Sequence, residues 1–286
     1  MESSRQKVLI QGFRGSYHEI AARSYFGDAI EVVPALTFDE IFRMLNVDGS
    51  LYGVVAIENT VSGSILPNYS LLNDSGVYIS GEIKLRVSLN LLALPGQEPD
   101  DIAEVRSQAL ALSQCRDFFL KYPDIKLIES ADTALSAKEI SECGLRGAGV
   151  VGSSLAADLY GLEILAAGIE SNKRNYTRFL VLDTASEPGS HDNAGMAGIN
   201  KSSVVFRLPH RKGSLVEVLS LFSVGDCNLT TVQSAPLIGS EWEYLFYVDM
   251  TFEKYASYRK AVGKASSLCT EFKIIGEYRE GDVFKG

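Results

Sequence analysis

Val8-Leu9-Ile10-Gln11-Gly12-Phe13-Arg14-Gly15-Ser16-Tyr17-His18-Glu19 reads as a strand, a tight turn and the start of a helix. The three apolar residues at its head form a buried strand. Ser16 and Glu19 have the spacing of a capping box, and Ile20, Ala21 and Phe26 continue with helical periodicity. Thr37 and Glu40 repeat the capping pattern ahead of Ile41, Met44 and Leu45. A strand over Gly53–Ile57 follows and ends in Glu58-Asn59-Thr60. Strands alternating with helices predict an α/β fold with a mostly parallel sheet.

Further along, Ile83 to Leu94 reads as one long apolar strand that stops at Pro95. A second series begins there: a strand at Val105, a helix over Ala109–Leu120, a strand over Lys126–Glu129, a helix over Thr133–Ile140 and a strand over Gly149–Gly152. Ser153 or Ser154 caps a helix running to Tyr160, which Gly161 ends, and Asn175–Leu182 forms a last strand. Two such series imply two lobes with a cleft between them, a common place for a ligand. Residues 185–201 are rich in Gly, Ser, Asn and Asp and read as a linker. Beyond them come a strand (Ser203–Leu208), a helix (Gly213–Gly225), two strands (Leu229–Ala235, Glu243–Phe252), a helix (Tyr255–Leu268) and a strand (Glu271–Tyr278). That order, βαββαβ, is ferredoxin-like.

Composition narrows the function. The 286 residues are 46% hydrophobic and 22% charged, ordinary for globular domains with real cores. A net charge of −9 argues against nucleic acid as a partner. No stretch reaches the ~18 apolar residues of a membrane span, and Met1–Lys7 is polar, so no membrane partner and a cytoplasmic location are expected. Cys115, Cys143, Cys227 and Cys269 form no metal or disulfide pattern. With only His18, His191 and His210, neither a catalytic triad nor a histidine metal site is expected, and His18 is expected to be exposed. No Walker motif occurs and the Gly12–Gly15 turn lacks the third glycine of a dinucleotide fingerprint, so neither metal nor cofactor is expected.

Three segments remain as chemistry. The Gly12–Gly15 turn, with Ser16 and Tyr17, is either an anion pocket at a helix N-terminus or a plain βα turn. Asn59, Thr60 and Gly63 stand at a strand's C-terminal edge, as a polar ligand site or an Asx-turn. Thr177 and Arg178 open an otherwise apolar strand, spending polarity where a core would not want it. Side chains alternate on a strand, so Thr177 and Phe179 face one way and Arg178 the other. Either the strand bends, or Arg178 braces the site without touching a ligand.

These motifs, in order, resemble the prephenate dehydratase family over residues 8–280: Gln11 to Tyr17 with Glu19 and Ala21-Ala22, Ile57 to Ile65, Tyr160-Gly161-Leu162, and Asn175 to Leu180. Gly213-Ser214-Leu215 with Asn228-Leu229-Thr230 resembles the ACT domain that follows in that family. The resemblance implies a two-lobed, periplasmic-binding-protein-like catalytic region over 1–184, with lobe one near 7–82 plus 177–184 and lobe two near 83–176. A linker (185–201) and a ferredoxin-like ACT domain (202–286) would follow. It implies conversion of prephenate to phenylpyruvate in phenylalanine synthesis, with Thr177, Asn59 and Gln114 catalytic. Ser16, Tyr17, Thr60, Gly63, Ser107, Ser153, Arg178 and Phe179 would bind substrate. L-phenylalanine would act as effector at Gly213, Ser214, Leu215, Asn228, Leu229, Gln233 and Ser234, in a homodimer or homotetramer. The chain departs from the family at Gln108-Ala109-Leu110, at Lys212 and at Gln233-Ser234-Ala235-Pro236. Arogenate dehydration, or a non-catalytic metabolite sensor, are the competing readings.

Overall fold

The computed structural model describes residues 5–185, 198–237, 239 and 243–286. Most of the expected linker, with His191, lies outside the described residues. The first lobe runs β1 (Lys7–Gln11), α1 (Tyr17–Phe26), β2 (Glu31–Ala35), α2 (Phe38–Val47), β3 (Tyr52–Asn59), β4 (Gly63–Ser64), α3 (Leu66–Asp74) and β5 (Tyr78–Arg86). The chain then crosses to a second lobe of β6 (Asn90–Ala93), β7 (Glu104–Ser107), α4 (Ala109–Gln114), α5 (Arg116–Phe119), β8 (Lys126–Glu129), α6 (Thr133–Glu142), β9 (Ala148–Gly152), α7 (Ser154–Tyr160) and β10 (Glu163–Ala166). It returns as β11 (Tyr176–Asp183). A third unit follows: β12 (Lys201–Arg207), α8 (Ser214–Val224), β13 (Cys227–Pro236), β14 (Tyr244–Phe252), α9 (Tyr255–Ser266), β15 (Glu271–Tyr278) and β16 (Val283–Lys285).

The predicted N-caps form, although each glutamate side chain accepts from the residue before the cap, Gly15 N and Leu36 N, both at 2.8 Å. Ser16 Oγ accepts from Glu19 N at 3.4 Å and Thr37 Oγ1 from Glu40 N at 3.2 Å, which starts α1 and α2 at those residues. β1 pairs parallel with β2 and β3, and β11 lies antiparallel between β3 and β5. β3 is apolar from Val54 to Ile57 because it is covered twice. Val54 and Ala56 pack with Ala21 and Ala22 of α1, and Val55 and Ile57 pack with Ile41, Leu45 and Leu72 of α2 and α3.

The expected strand over Ile83–Leu94 is two strands. β5 ends at Arg86 in the first lobe and β6 starts at Asn90 in the second. Both are buried, so hydrophobicity is continuous where the chain changes lobe, and the boundary lies at 87–89 instead of 82–83. The expected helix over Ala109–Leu120 breaks at Cys115 into α4 and α5.

The third unit has strand order β13-β14-β12-β15, with α8 and α9 on one face. Its other face packs on the first lobe: Val205, Leu245, Tyr247 and Ile275 join one apolar cluster with Tyr69, Leu72 and Ile79. β15 and β16 both pair with β5, so one sheet runs from this unit into the first lobe.

Candidate functional site

A cleft of about 370 Å³ opens between the lobes. Ser16, Tyr17, His18, Asn59, Thr177 and Phe179 line it from the first lobe. Gln108, Leu110, Ala111, Gln114, Asp132 and Thr133 face them from the second. Both ends of the departure at Gln108-Ala109-Leu110 therefore contribute to the wall.

Three expected catalytic residues meet here through a fourth, Asn175. Asn59 Oδ1 accepts from Val61 N and Ser62 N, both at 2.9 Å, and from Ser62 Oγ at 3.0 Å. Its Nδ2 donates to Asn175 Oδ1 at 2.7 Å and to Thr177 Oγ1 at 2.9 Å, with Tyr176 O at 3.2 Å. Asn175 Nδ2 then donates to Gln114 Oε1 at 3.0 Å. Every hydrogen-bonding atom of the Asn59 amide is thus engaged by protein. Asn59 is thereby tied to Thr177, whose own O–H hydrogen has no protein acceptor among the described residues. The Asx-turn reading of Asn59 is realised, and the same residue lines the cleft.

The glycine turn closes the cleft from one side. Ser153 Oγ of the second lobe donates to Gly15 O at 2.5 Å, and Tyr160 OH to Arg14 O at 2.8 Å. Gly15 has φ +88°, and a Cβ there would stand 3.0 Å from Ala156 Cα, so α7 can sit this close only against glycine. Tyr17 OH donates to Ser88 O at 2.6 Å across the lobe crossing.

Other expected binding residues lie elsewhere. Ser107 is buried inside the second lobe, donating to Val151 O at 2.8 Å. Ser153 is a buried clasp and cap. Thr60 Oγ1 donates to Arg174 O and accepts from Tyr176 N, away from the cleft. Gly63 lies in the short β4. Arg178 is corrected outright. Its guanidinium points to the opposite face of β11, where Nε donates to Glu82 at 2.6 Å, Nη1 to Asp249 at 2.5 Å and Nη2 to Tyr278 OH at 3.1 Å. Strand alternation decided this, with a bulge only after Arg178.

His18 is also corrected: it lines the cleft half-buried, with Phe38 and Phe179 rings at 5.6 and 5.0 Å. Burial pushes its pKa down to about 4, so the imidazole is neutral at physiological pH, and Nε2 accepts from Ala56 N at 3.4 Å, which leaves the ring's one hydrogen on Nδ1. Burial raises the Asp132 carboxyl, although N–H bonds from Leu135 and Ala134 pull the other way. Asp132 and Asn175 were not among the expected site residues. The spacing of Asp132 ahead of α6, an N-cap position, was a readable signal.

In the third unit, Gly213 precedes α8, Ser214 Oγ donates to Arg211 O at 3.0 Å, and Leu215 packs at the edge of the unit's core. Asn228, Leu229, Gln233 and Ser234 lie on β13, and Gln233 Nε2 donates to Ser64 Oγ of β4 at 2.8 Å. Among the described residues no group of three or more His, Cys, Asp or Glu could hold a metal ion, and no helix is long and apolar enough to cross a membrane.

A family model for prephenate dehydratase matches residues 8–187. Arogenate dehydratase 2 of Petunia hybrida is 36% identical, covering 97% of this chain and 72% of the relative. The bifunctional chorismate mutase/prephenate dehydratase of Aquifex aeolicus is 32% identical, covering 95% and 73%. Among solved structures, a protein described as the quorum quenching acylase GqqA has TM-score 0.85 at 26% identity, covering 96% of this chain and 98% of its own. The Arthrobacter aurescens prephenate dehydratase in complex with L-Phe has TM-score 0.83 at 22% identity, covering 96% and 90%.

Proposed function

Since the chain belongs to the prephenate dehydratase family, we propose that its interlobe cleft converts prephenate to phenylpyruvate, carbon dioxide and water, in phenylalanine synthesis. The observation that carries the reading is Thr177. Its oxygen accepts from Asn59 and its hydrogen is free to point into the cleft.

In this reaction the bond from the ring to its carboxylate breaks, and its electron pair enters the ring. The C4–oxygen bond breaks with the opposite polarity, and the departing hydroxide takes a proton to become water. Aromatisation drives the reaction, so the protein's task is orientation and stabilisation of the leaving oxygen. Thr177 donates to that oxygen as its charge develops. Gln114 orients the substrate from the second lobe. Ser16 and the helix N-terminus behind it attract a carboxylate. Phe179 and Phe38 make an apolar wall that keeps the ring carboxylate poorly hydrated, which favours its loss. His18, held neutral, adds no charge to this wall.

The arogenate reading differs only in the side-chain amino group, and the Petunia hybrida relative supports carrying it forward. The third unit acts as an ACT domain that takes L-phenylalanine as effector, and the chain assembles as a homodimer or homotetramer. The phenylalanine complex of the Arthrobacter aurescens neighbour supports that effector. The test is formation of phenylpyruvate from prephenate, run beside phenylalanine formation from arogenate, each with and without added phenylalanine. Thr177→Ala is expected to lower kcat roughly 10²-fold or more. A near-parental rate in that variant removes Thr177 from the chemistry.

A further inference from the structure

Asn175 is 1% exposed and sits where the chain returns from the second lobe to the first. Its carbonyl accepts from Val87 N, in the outgoing crossing, at 2.8 Å. Its side chain is the one link between Asn59 on the first lobe and Gln114 on the second among the described residues. The orientation of all three amides follows from the backbone. Val61 N and Ser62 N can only donate, so the atom of Asn59 that they face is the oxygen. Asn59 Nδ2 must then face Asn175, whose facing atom must accept. Asn175 in turn offers Nδ2 to Gln114, which must answer with Oε1. Gln114, which lines the cleft, is left with Nε2 unused by these bonds.

We infer that Asn175 is a positioning residue that transmits hydrogen-bond polarity from the Val61–Ser62 backbone to Gln114, so that both lobes present donors to an anionic substrate. One end of the relay gives the cleft the Thr177 O–H; the other gives it the Gln114 Nε2–H. The inference rests on the proposed function for the identity of the substrate, and deepens it by assigning the donor polarity of the wall. It also ties that polarity to lobe geometry, because the relay closes only when Gln114 comes within reach of the crossing segment.

Asn175→Asp is nearly isosteric and keeps the bond from Asn59. It removes the donor to Gln114, which must then turn Nε2 inward and show Oε1 to the substrate's carboxylate. KM for prephenate is expected to rise roughly 10- to 100-fold, the range for losing one hydrogen bond to a charged group. In a Gln114→Leu background, where no amide remains to invert, Asn175→Asp is expected to leave KM unchanged. Asn59→Asp inverts the relay from its anchored end and serves where Asn175→Asp does not fold. It should raise KM only while Gln114 is present, whatever it does to kcat. A substrate-free version of the same cycle reads melting temperatures, where Asn175→Asp should cost more in the Gln114→Leu background, because no amide is left to turn and donate to the new buried carboxylate. A parent enzyme inactive on both prephenate and arogenate overturns the functional reading and leaves the melting cycle to decide the relay. A folded Asn175→Asp with KM within twofold of an active parent, or equal effects with and without the Gln114 amide, overturns the relay alone.

Discussion

Asp249→Ala tests how the third unit is joined to the strand that carries Thr177. Asp249 on β14 and Arg178 on β11 meet in a buried cluster with Glu82 and Lys201, two cations against two anions. Lys201 Nζ lies 2.9 Å from both Glu82 oxygens, and Gly281 N also donates to Glu82 at 3.0 Å. Truncating Asp249 leaves two positive groups facing one buried carboxylate. Removing one partner of a buried pair costs about 3–5 kcal/mol. Arg178 keeps Glu82, Tyr278 OH and the partly exposed Glu58 at 3.8 Å, so the lower end, about 3 kcal/mol, applies. Adding Arg178→Met removes the orphaned charge and leaves Glu82 paired with Lys201. The double variant is therefore expected to fall short of the summed single losses by about 2 kcal/mol. Urea unfolding followed by circular dichroism measures this, urea being preferred because guanidinium is itself a salt that screens charge. The reasoning fails if Asp249→Ala stays within about 0.5 kcal/mol of the parent, or if the two substitutions simply add.

Two further outcomes are expected. His18 has a folded pKa of about 4 against an ordinary 6.5, so the unfolded chain binds more protons between those values and stability rises with pH across that window. Discounted for partial exposure the gain is about 2 kcal/mol; a His18→Gln variant whose stability keeps the full slope between pH 4 and 6.5 would refute it. Gly15→Ala combines the left-handed backbone penalty of about 1–2 kcal/mol with pressure on Ala156 across the lobes, and should also lower kcat/KM by prising the cleft open. Gly27→Ala, at φ +82° with nothing within 4 Å, carries the backbone penalty only; equal effects at the two sites would mean that the lobe contact is immaterial.

Periodicity disclosed most of this architecture because most elements have one apolar face and a capped start. It failed where two buried strands abut. Val87-Ser88-Leu89 carries no glycine or proline, so nothing local marks the lobe crossing between β5 and β6. β2 was missed because Pro34 lies inside it, which a strand tolerates only near an edge; β2 is indeed at the edge of its sheet. The site was legible to a different depth. Thr177 is visible as polarity misplaced on an apolar strand and Asn59 as an amide at a strand's C-terminal edge, whereas Gln114 is reached only through family resemblance. Asn175 stands two residues before Thr177, and nothing in its spacing marks it. Its role depends on partners 116 and 61 residues away in sequence, and no spacing rule connects such distances.

Alternation along β11 accounts for the two polar residues that open it. Thr177 and Phe179 face the cleft, one with a hydroxyl and the other with an apolar ring, while Arg178 between them faces the third unit. A charged group on the cleft face would have to stay solvated, and a lone hydroxyl on the other face would leave Glu82 and Asp249 short of a cation. Exchanging the two residues would therefore fail on both faces at once. The same logic separates their phenotypes: a change at Thr177 should act on kcat with little loss of stability, since its O–H has no protein acceptor among the described residues and Asn59 Nδ2 keeps Asn175 Oδ1 and Tyr176 O. A change at Arg178 should act first on stability, because it leaves two buried carboxylates with Lys201 and, at 4.0 Å from Glu82, the partly exposed Lys84, and on turnover only as far as β11 shifts. Variants whose effects on kcat and on unfolding fall in the opposite pattern would show that the strand does not divide its two tasks by face.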